Sequence, residues 1–279
     1  MPTGVAICSL LGHAEGVEYD IYILASPGVT QTDRDLLQDQ VSAFSSGSRI
    51  SFVDMGERFG DGFEIRGIST ACYYRLMIPW LLPHLDKVIY CDGDVIFHTQ
   101  LSDLYAVDLE GIYVAGCVSS TREGWVKMRK YFDKLGLDYR RYVNSGVLVI
   151  NCALQRREGL DRQYEELSRR KFHYQDQDII NIVCRDHMGY FSCRFNLKPS
   201  EYGRVEGVGA DVVIHYFGDK PWREFTFMWE EWWAAYKRSV FWNYEFYHDV
   251  SANILSAKRQ LKTFLRKVSF KVSQYMARL

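Results

Sequence analysis

Short apolar runs alternate along this chain with segments of helical spacing, and this alternation restricts the fold more than any other feature. The strand-like runs are YDIYILA (19–25), ISFVD (50–54), KVIYC (87–91), IYVAGCV (112–118), GVLVIN (146–151) and DVVIHY (211–216). The helix-like segments are 31–46, 70–82, 153–170, 176–186 and 228–239. Strands that alternate with helices predict an α/β fold with a mostly parallel central sheet flanked by helices.

Charge divides the chain into two unequal parts. Residues 251–279 contain seven Lys or Arg and no Asp or Glu, so the net charge of −1 leaves −8 for residues 1–250. Within the basic part, Leu261, Phe264, Leu265 and Val268 recur at helical spacing. We therefore expect a domain at 1–250 and a basic amphipathic helical tail at 251–279. Such a tail is typical of a segment that lies on an anionic membrane, and the alternative is a solvated helix docked on the domain.

The cysteines and the apolar runs indicate where the protein works. The seven cysteines form no CxxC pair and mostly lie in apolar runs, which predicts buried free thiols in a reducing compartment. No apolar run has membrane-spanning length. We expect no signal peptide before the first elements. We expect a cytoplasmic protein that is peripheral on the inner face of the cytoplasmic membrane. No nucleic-acid partner is expected, because the tail is the only basic cluster.

Two carboxylates interrupt the apolar run KVIYCDGDVIF (87–97), at Asp92 and Asp94. Burying like charges side by side is costly unless they are paired or bind a metal. In α/β sheets, ligands bind beyond the carboxyl ends of the strands, which is where this pair falls. A divalent cation would offset the repulsion and leave open positions for phosphate oxygens. The pair therefore predicts a metal site.

Further polar side chains lie at the ends of strand-like runs or begin helix-like segments. They are Asn144 and Ser145 in NSGVLVIN (144–151), Asp176, Gln177 and Asp178 in YQDQDIIN (174–181), and His215, Gly218 and Lys220 in HYFGDKPW (215–222). Imidazole is a common ligand of Mn²⁺, and a Lys ammonium is suited to phosphate. Helix capping explains one Asp of the triplet at 176–178 but not the whole triplet.

Together these segments resemble the family 8 retaining glycosyltransferases, and in particular the bacterial lipopolysaccharide sugar transferases. The similar segments, in family order, are YYRL (73–76), DKVIYCDGDVIF (86–97), NSGVLVIN (144–151), YQDQDIIN (174–181) and HYFGDKPW (215–222). The resemblance runs from about residue 4 to residue 240. It implies a GT-A fold, a UDP-hexose donor (galactose or glucose), a saccharide or glycolipid acceptor such as lipopolysaccharide, and Mn²⁺, with Mg²⁺ as the alternative.

The resemblance also implies roles for individual residues. Asp92, Asp94 and His215 would be the metal ligands. The donor would be bound by Arg75, Asp92, Asn144, Ser145, Asp176, Gln177, Gly218 and Lys220; for Arg75, an ordinary surface arginine is the alternative. Asp176 and Gln177 would lie beneath the anomeric carbon as the catalytic candidates. Because an amide is a poor nucleophile, same-face attack by the acceptor is favoured over a covalent intermediate.

Two features depart from the family pattern. One residue, Asp219, separates Gly218 from Lys220, whereas the family usually has two residues there. The family also opens with a strand and an acidic, Asn-containing loop, whereas this sequence opens with a helix-like segment near Gly4. We expect that first strand to precede Met1 in the native protein.

Two other readings remain open at this point. A haloacid-dehalogenase-like phosphatase also has an Asp-x-Asp pair after a buried strand, although near its N-terminus and with a second acidic pair later in the chain. An inactive homologue that binds sugars without turning them over is the second alternative.

Overall fold

The computed structural model of the 279-residue chain describes residues 1–44, 47–56, 58–60, 62–64, 69–118, 128–202 and 209–256. The predicted basic tail falls mostly outside these residues. Of the predicted tail, only 251–256 are described, and they continue a helix that begins at 244. The basic residues of the tail lie between 258 and 278, so the described residues do not test that prediction.

The described residues form an α/β structure. The strands are β1 (Asp20–Ala25), β2 (Arg49–Asp54), β3 (Lys87–Cys91), β4 (Val95–Phe97), β5 (Val114–Val118), β6 (Val143–Asn151), β7 (Met188–Tyr190) and β8 (Val213–His215). The helices are α1 (Pro2–Leu11), α2 (Gln31–Phe44), α3 (Ile78–Leu81), α4 (Ser102–Tyr105), α5 (Arg129–Leu135), α6 (Cys152–Glu158), α7 (Asp161–Ser168), α8 (Gln175–Val183), α9 (Trp229–Arg238) and α10 (244–256). Short 3-10 helices lie at Thr70–Met77, Arg185–His187, Cys193–Asn196 and Pro199–Glu201.

The predicted α/β architecture is present, but the sheet is mixed and not mostly parallel. β1 pairs in parallel with β2, and β5 pairs in parallel with β7. β6 runs antiparallel to both of its neighbours, β3 and β5, and β4 runs antiparallel to β8. The prediction of a mostly parallel sheet was therefore wrong. An apolar run reports burial but carries no information on strand direction.

The strand β6 is the centre of the four-stranded sheet β3-β6-β5-β7. Its residues Val147–Ile150 are at most 3% exposed, because neighbouring strands cover both edges and helices cover the faces. In contrast, every residue of β3 is half-buried. β3 has β6 on one edge, and its carboxyl end leads directly into the Asp92–Asp94 pair. The sheet thus carries this pair at the end of a partly exposed strand.

The predicted helical segments are present with two interruptions. The segment predicted at 153–170 is split into α6 and α7, because Gly159 adopts a left-handed φ of 64° that ends α6. The segment predicted at 70–82 is a 3-10 helix followed by α3. Pro79 has no N–H to donate to the carbonyl of Arg75, so a continuous α-helix would lose a bond there. The strands β4 and β7 are short and were not predicted.

Candidate metal and donor site

The segment that joins β3 to β4 brings the two carboxylates to one place. β3 belongs to the four-stranded sheet, whereas β4 pairs with β8, so the connection crosses from one sheet to the other. The N–H of Asp92 donates to the carbonyl of Gly146 at 2.8 Å, and the carbonyl of Asp94 accepts from the N–H of Tyr216 at 3.0 Å. These two bonds fix the backbone on either side of Gly93, so both aspartates are held beside the end of β8.

Asp92, Asp94 and His215 form a compact cluster of metal-ligand atoms. One such atom from each residue lies within 4.8 Å of the other two. The Nε2 of His215 is 3.1 Å from Asp94 Oδ1 and 3.5 Å from Asp92 Oδ2. The structure therefore brings together the three residues that the sequence analysis named as metal ligands.

Two neighbours set the orientation of the His215 ring. A Cβ on Gly146 would lie 1.9 Å from Cε1 of His215, so glycine at this position leaves the space that the ring occupies. The Nδ1 of His215 is 2.8 Å from Oδ1 of Asn196, which accepts the Nδ1 proton. That hydrogen bond turns Nε2 towards the two carboxylates, the arrangement usual for a metal-bound histidine. Asn196 was not identified from the sequence, where no motif distinguishes it.

The charged groups of the cluster stabilise one another in their ionised forms. Burial opposes protonation of His215, but Asp94 and Asp92 outweigh this effect and raise its pKa to about 9. Burial also opposes ionisation of Asp94, but His215 and Lys220 outweigh it and hold the pKa of that carboxyl well below its usual value. Arg75 and His215 lower the pKa of Asp92 against its burial in the same way. Without a metal, protein cations neutralise both carboxylates.

The cluster has a donor set that fits a divalent cation. Oδ1 of Asp94 is buried and accepts no well-aligned hydrogen bond, although His215 lies 3.1 Å away. A buried carboxylate oxygen without a donor is costly unless a ligand binds it. Two carboxylates and one imidazole suit Mn²⁺, and the two carboxylates also suit Mg²⁺.

Arg75 is buried at the centre of the site and is not a surface arginine. Its Nη2 lies 2.9 Å from Asp92 Oδ1, and its Nε lies 3.2 Å from Asp176 Oδ2. Its Nη1 donates to the carbonyl of Ser145 at 2.6 Å. One guanidinium therefore links the end of β3, the start of β6 and the start of α8, which were predicted to meet at the donor.

Tyr90 supports Asp92 from the preceding strand. Its hydroxyl donates to Asp92 Oδ1 at 2.6 Å, and its ring lies 4.5 Å from the guanidinium carbon of Arg75. Alternate residues of a strand share a face, so the position of Tyr90 two residues before Asp92 was a usable signal that the sequence analysis did not use. The phenol occupies Oδ1 and leaves Oδ2 facing His215.

The predicted sugar-binding residues form a chain of amide hydrogen bonds. Oδ1 of Asn144 accepts from Asn196 Nδ2 at 3.0 Å, and Nδ2 of Asn144 donates to Gln177 Oε1 at 3.0 Å. The N–H of Ser145 donates to the same Gln177 oxygen at 3.1 Å. The chain connects Gln177 to His215 through Asn144 and Asn196. All three amide side chains are thereby held in fixed orientations.

The triplet at the start of α8 is divided between two environments. Asp176 faces Arg75, and its pKa is raised because burial outweighs the attraction of that guanidinium. Asp178 faces away and accepts from Tyr131 at 2.5 Å, from Tyr142 at 2.6 Å and from the N–H of Tyr174 at 2.7 Å. Asp178 is therefore a structural residue, whereas Asp176 belongs to the candidate site.

Gly218 and Lys220 come shortly after His215 in the sequence. Gly218 has a left-handed φ of 111°, a conformation that favours glycine, and its open side has no atom within 4 Å. The Lys220 ammonium forms an ion pair with Asp94 and donates to the carbonyl of Tyr216 at 2.8 Å. The structure thus places this lysine on the carboxylate pair, next to any ligand that Asp94 binds.

None of the helices in the described part of the chain is both long enough and apolar enough to cross a bilayer.

Comparison with known proteins relates this site to a family. The chain is 24% identical over 238 residues to the Escherichia coli lipopolysaccharide glucosyltransferase WaaO, an alignment that covers 80% of this chain and 69% of that one. It is 27% identical over 177 residues to an E. coli lipopolysaccharide 1,2-glucosyltransferase, covering 56% of this chain and 51% of that one. The chain spans between 51% and 69% of the length of three curated relatives that it matches.

A solved structure agrees with these relatives. The galactosyltransferase LgtC, crystallised with donor and acceptor sugar analogues, superposes with a TM-score of 0.75 at 25% identity, covering 88% of this chain and 94% of LgtC. This likeness confirms the predicted GT-A fold. The model of glycosyl transferase family 8 matches residues 1–226, which decides against the haloacid-dehalogenase alternative. The chain belongs to glycosyltransferase family 8.

Proposed function

We propose that this protein transfers a hexose, galactose or glucose, from a UDP-sugar to a saccharide acceptor with retention of configuration. The observation that carries the proposal is the cluster of Asp92, Asp94 and His215, whose ligand atoms lie within 4.8 Å of one another, in a family 8 chain. The acceptor we propose is lipopolysaccharide or another cell-surface glycan. Its support is the likeness to two E. coli lipopolysaccharide glucosyltransferases and to LgtC.

In this proposal Asp92, Asp94 and His215 hold a divalent cation, Mn²⁺ or alternatively Mg²⁺. When bound, such a cation neutralises charge on the departing diphosphate. Asn196 keeps Nε2 of His215 directed at the site, and Tyr90 and Arg75 keep Oδ1 of Asp92 occupied. The lone pairs that remain, on Asp92 Oδ2 and Asp94 Oδ1, face the same histidine nitrogen.

Lys220 and Gly218 are proposed to contact the donor diphosphate. The ammonium of Lys220 already touches Asp94, so it would lie beside a diphosphate bound at the cluster of Asp92, Asp94 and His215. The open side of Gly218 leaves the backbone accessible there. The single residue between them, Asp219, is not an obstacle to this contact, because the lysine reaches the cluster despite the shorter spacing.

The hexose is proposed to lie against Arg75, Asn144, Ser145, Asp176 and Gln177. Both oxygen-bearing candidates at the start of α8 are already engaged: Asp176 with Arg75, and the Gln177 carbonyl with Asn144 and Ser145. This supports same-face attack rather than a covalent intermediate. The acceptor oxygen bonds to the anomeric carbon as the bond to the phosphate breaks, and the acceptor proton passes to the departing phosphate oxygen. Asp176 and Gln177 would then stabilise positive charge on the sugar ring.

The protein is further proposed to work at the cytoplasmic face of the inner membrane through residues 251–279. The support is the charge of that segment, with seven Lys or Arg and no acidic residue. Flotation with vesicles of phosphatidylglycerol tests this point. Binding of the full chain that is lost on removing residues 258–279 supports it, and equal binding without them contradicts it.

Calorimetry with UDP, with and without Mn²⁺, tests the proposed donor site. We expect UDP to bind only when Mn²⁺ is present. We expect Asp94→Asn to abolish this Mn²⁺-dependent binding of UDP. Turnover of UDP-galactose or UDP-glucose with a saccharide acceptor then tests catalysis. Binding without turnover of either donor would favour the inactive sugar-binding homologue, and absence of UDP binding would contradict the proposed donor.

A further inference from the structure

Two cysteine sulfurs touch at the edge of the candidate site. Sγ of Cys117 lies 2.7 Å from Sγ of Cys193, and both sulfurs also lie near the carbonyl of Val118, at 3.3 Å and 3.4 Å. A disulfide needs a sulfur–sulfur distance of about 2.05 Å, so these atoms would have to approach by only about 0.7 Å. The distance between the two sulfurs is therefore close to that of a covalent bond.

The two cysteines belong to segments that meet at the site. Cys117 lies on β5 directly opposite Asn144 of β6, at an irregularity in the pairing that begins after Gly116. Cys193 begins the 3-10 helix Cys193–Asn196, and Asn196 at its end holds both Asn144 and His215. A bond between the sulfurs would thus join the strand beside Asn144 to the helix that orients His215.

The remaining cysteines do not offer this arrangement. All seven cysteines lie in the described part of the chain, and none of them forms a disulfide there. Cys8 donates to the carbonyl of Ala235, and Cys184 contacts the hydroxyl of Tyr164. Cys193 is half-buried, whereas Cys117 is buried beside it, so Cys193 is the more exposed partner of the pair.

We propose that Cys117 and Cys193 are a redox-active pair, a modification site that takes a low-molecular-weight disulfide as its oxidant. The Cys193 thiolate attacks the reagent disulfide, forming a mixed disulfide and releasing one thiol. The Cys117 thiolate then attacks the Cys193 sulfur, closing the internal disulfide and releasing the second thiol. The two protein thiols lose two electrons to the reagent, and their two protons end on the released thiols.

Closure has a consequence for the site that does not depend on which sugar the enzyme transfers. The bond ties residues 76 positions apart and so restricts the unfolded chain, which stabilises the folded one. It also anchors the helix that carries Asn196, and with it the orientation of His215. The pair would thus link the redox state of the surroundings to the rigidity of the candidate site.

Treatment of the full chain with oxidised glutathione tests the proposal. We expect two alkylatable thiols to be lost, a Cys117–Cys193 cross-linked peptide in the digest, and a higher melting temperature that a reductant reverses. The Cys117→Ser chain should instead retain glutathione on Cys193. The Cys8→Ser chain, a matched control, should form the same cross-link as the wild type.

The Cys193→Ser variant keeps the test decisive if Cys117→Ser fails to fold, because it alters the more exposed partner. It should form no internal cross-link and show no increase in melting temperature. Retention of both thiols in the wild type, or cross-links shared equally with other cysteines, would overturn the proposal. None of these measurements uses a sugar donor, so their failure is distinct from failure of the proposed function.

Discussion

Two segments of this protein have the same spacing of carboxylates and opposite outcomes. Asp92-Gly93-Asp94 follows a strand, and both side chains reach one histidine nitrogen. Asp176-Gln177-Asp178 begins a helix, and its carboxylates go to Arg75 on one side and to a group of tyrosines on the other. The negative charges of Asp92 and Asp94 therefore lie together, whereas Asp176 and Asp178 lie in separate environments.

Local backbone geometry explains the difference. In an α-helix of 3.6 residues per turn, positions two apart point to nearly opposite sides. After a strand, the chain can turn at a glycine so that alternate side chains converge, and here Gly93 packs against Thr3, where a Cβ would come within 2.5 Å of Oγ1. An Asp-x-Asp sequence is therefore a metal signal only where the backbone between the two residues is not helical.

The largest expected effect separates the two segments directly. Asp94→Asn should weaken Mn²⁺ binding by ~100-fold or more, because it removes a charged ligand and leaves Lys220 and His215 facing a neutral amide. Asp178→Asn should leave Mn²⁺ affinity within about twofold, since that side chain faces away from the cluster. Titration calorimetry with Mn²⁺ measures both. Equal losses in the two variants would refute the assignment of the metal to the first segment.

The second prediction concerns pH. The pKa of His215 is raised from 6.5 to about 9 in the metal-free chain, so a metal must displace its proton. Mn²⁺ affinity should therefore rise by about tenfold per pH unit between those values. Calorimetry in buffers of different ionisation enthalpy measures the proton released. Asp178→Asn should keep this slope, and a pH-independent affinity would exclude His215 as a ligand.

The same shift predicts the stability of the metal-free protein. Since the folded pKa of His215 is raised, its contribution is complete below pH 6.5 and is lost as the pH rises towards about 9. The lost stability is on the order of 3 kcal/mol. Urea unfolding at both ends of this range measures it, and His215→Asn should remove most of the difference.

The third prediction concerns the contribution of Asp178 to the stability of the fold. Asp178→Asn should lower the free energy of unfolding by about 1–3 kcal/mol, because two tyrosine hydroxyls and one backbone N–H lose a charged acceptor. Urea unfolding of the wild type and the variant gives the value. Asp133→Asn, on an exposed helix position, is the control and should change stability by less than about 0.5 kcal/mol. A stability unchanged in Asp178→Asn would mean that the tyrosines find other partners.

The smallest expected effect concerns Lys220, whose ammonium forms an ion pair with Asp94. Lys220→Met should raise Mn²⁺ affinity by about fivefold in the absence of donor, because the ammonium no longer competes for Asp94. Calorimetry with Mn²⁺ alone measures this change. With Mn²⁺ saturating, UDP affinity should fall if Lys220 contacts the diphosphate. The exposed Lys237→Met is the control and should alter neither affinity.

The sequence predicted the site better than it predicted the sheet. The resemblance to family 8 implied that Asp92, Asp94 and His215 would be the metal ligands, and the structure brings the three side chains together. The direction of the strands was missed, since the same buried run suits either direction. Asn196 was missed as well, because a single amide in a loop-like segment has no periodicity or spacing that sets it apart.

The sequence alone determined the α/β class, most of the strands and helices, and the family, because apolar periodicity and short ordered motifs are local properties. The tertiary structure decided which charges converge. Arg75 links Asp92 to Asp176 across three elements, and Lys220 lies on Asp94 although 126 residues separate them. Such pairings depend on how the sheets and helices are placed in space. The strength of an electrostatic interaction depends on the distance between the charges in space and not on their separation in the sequence.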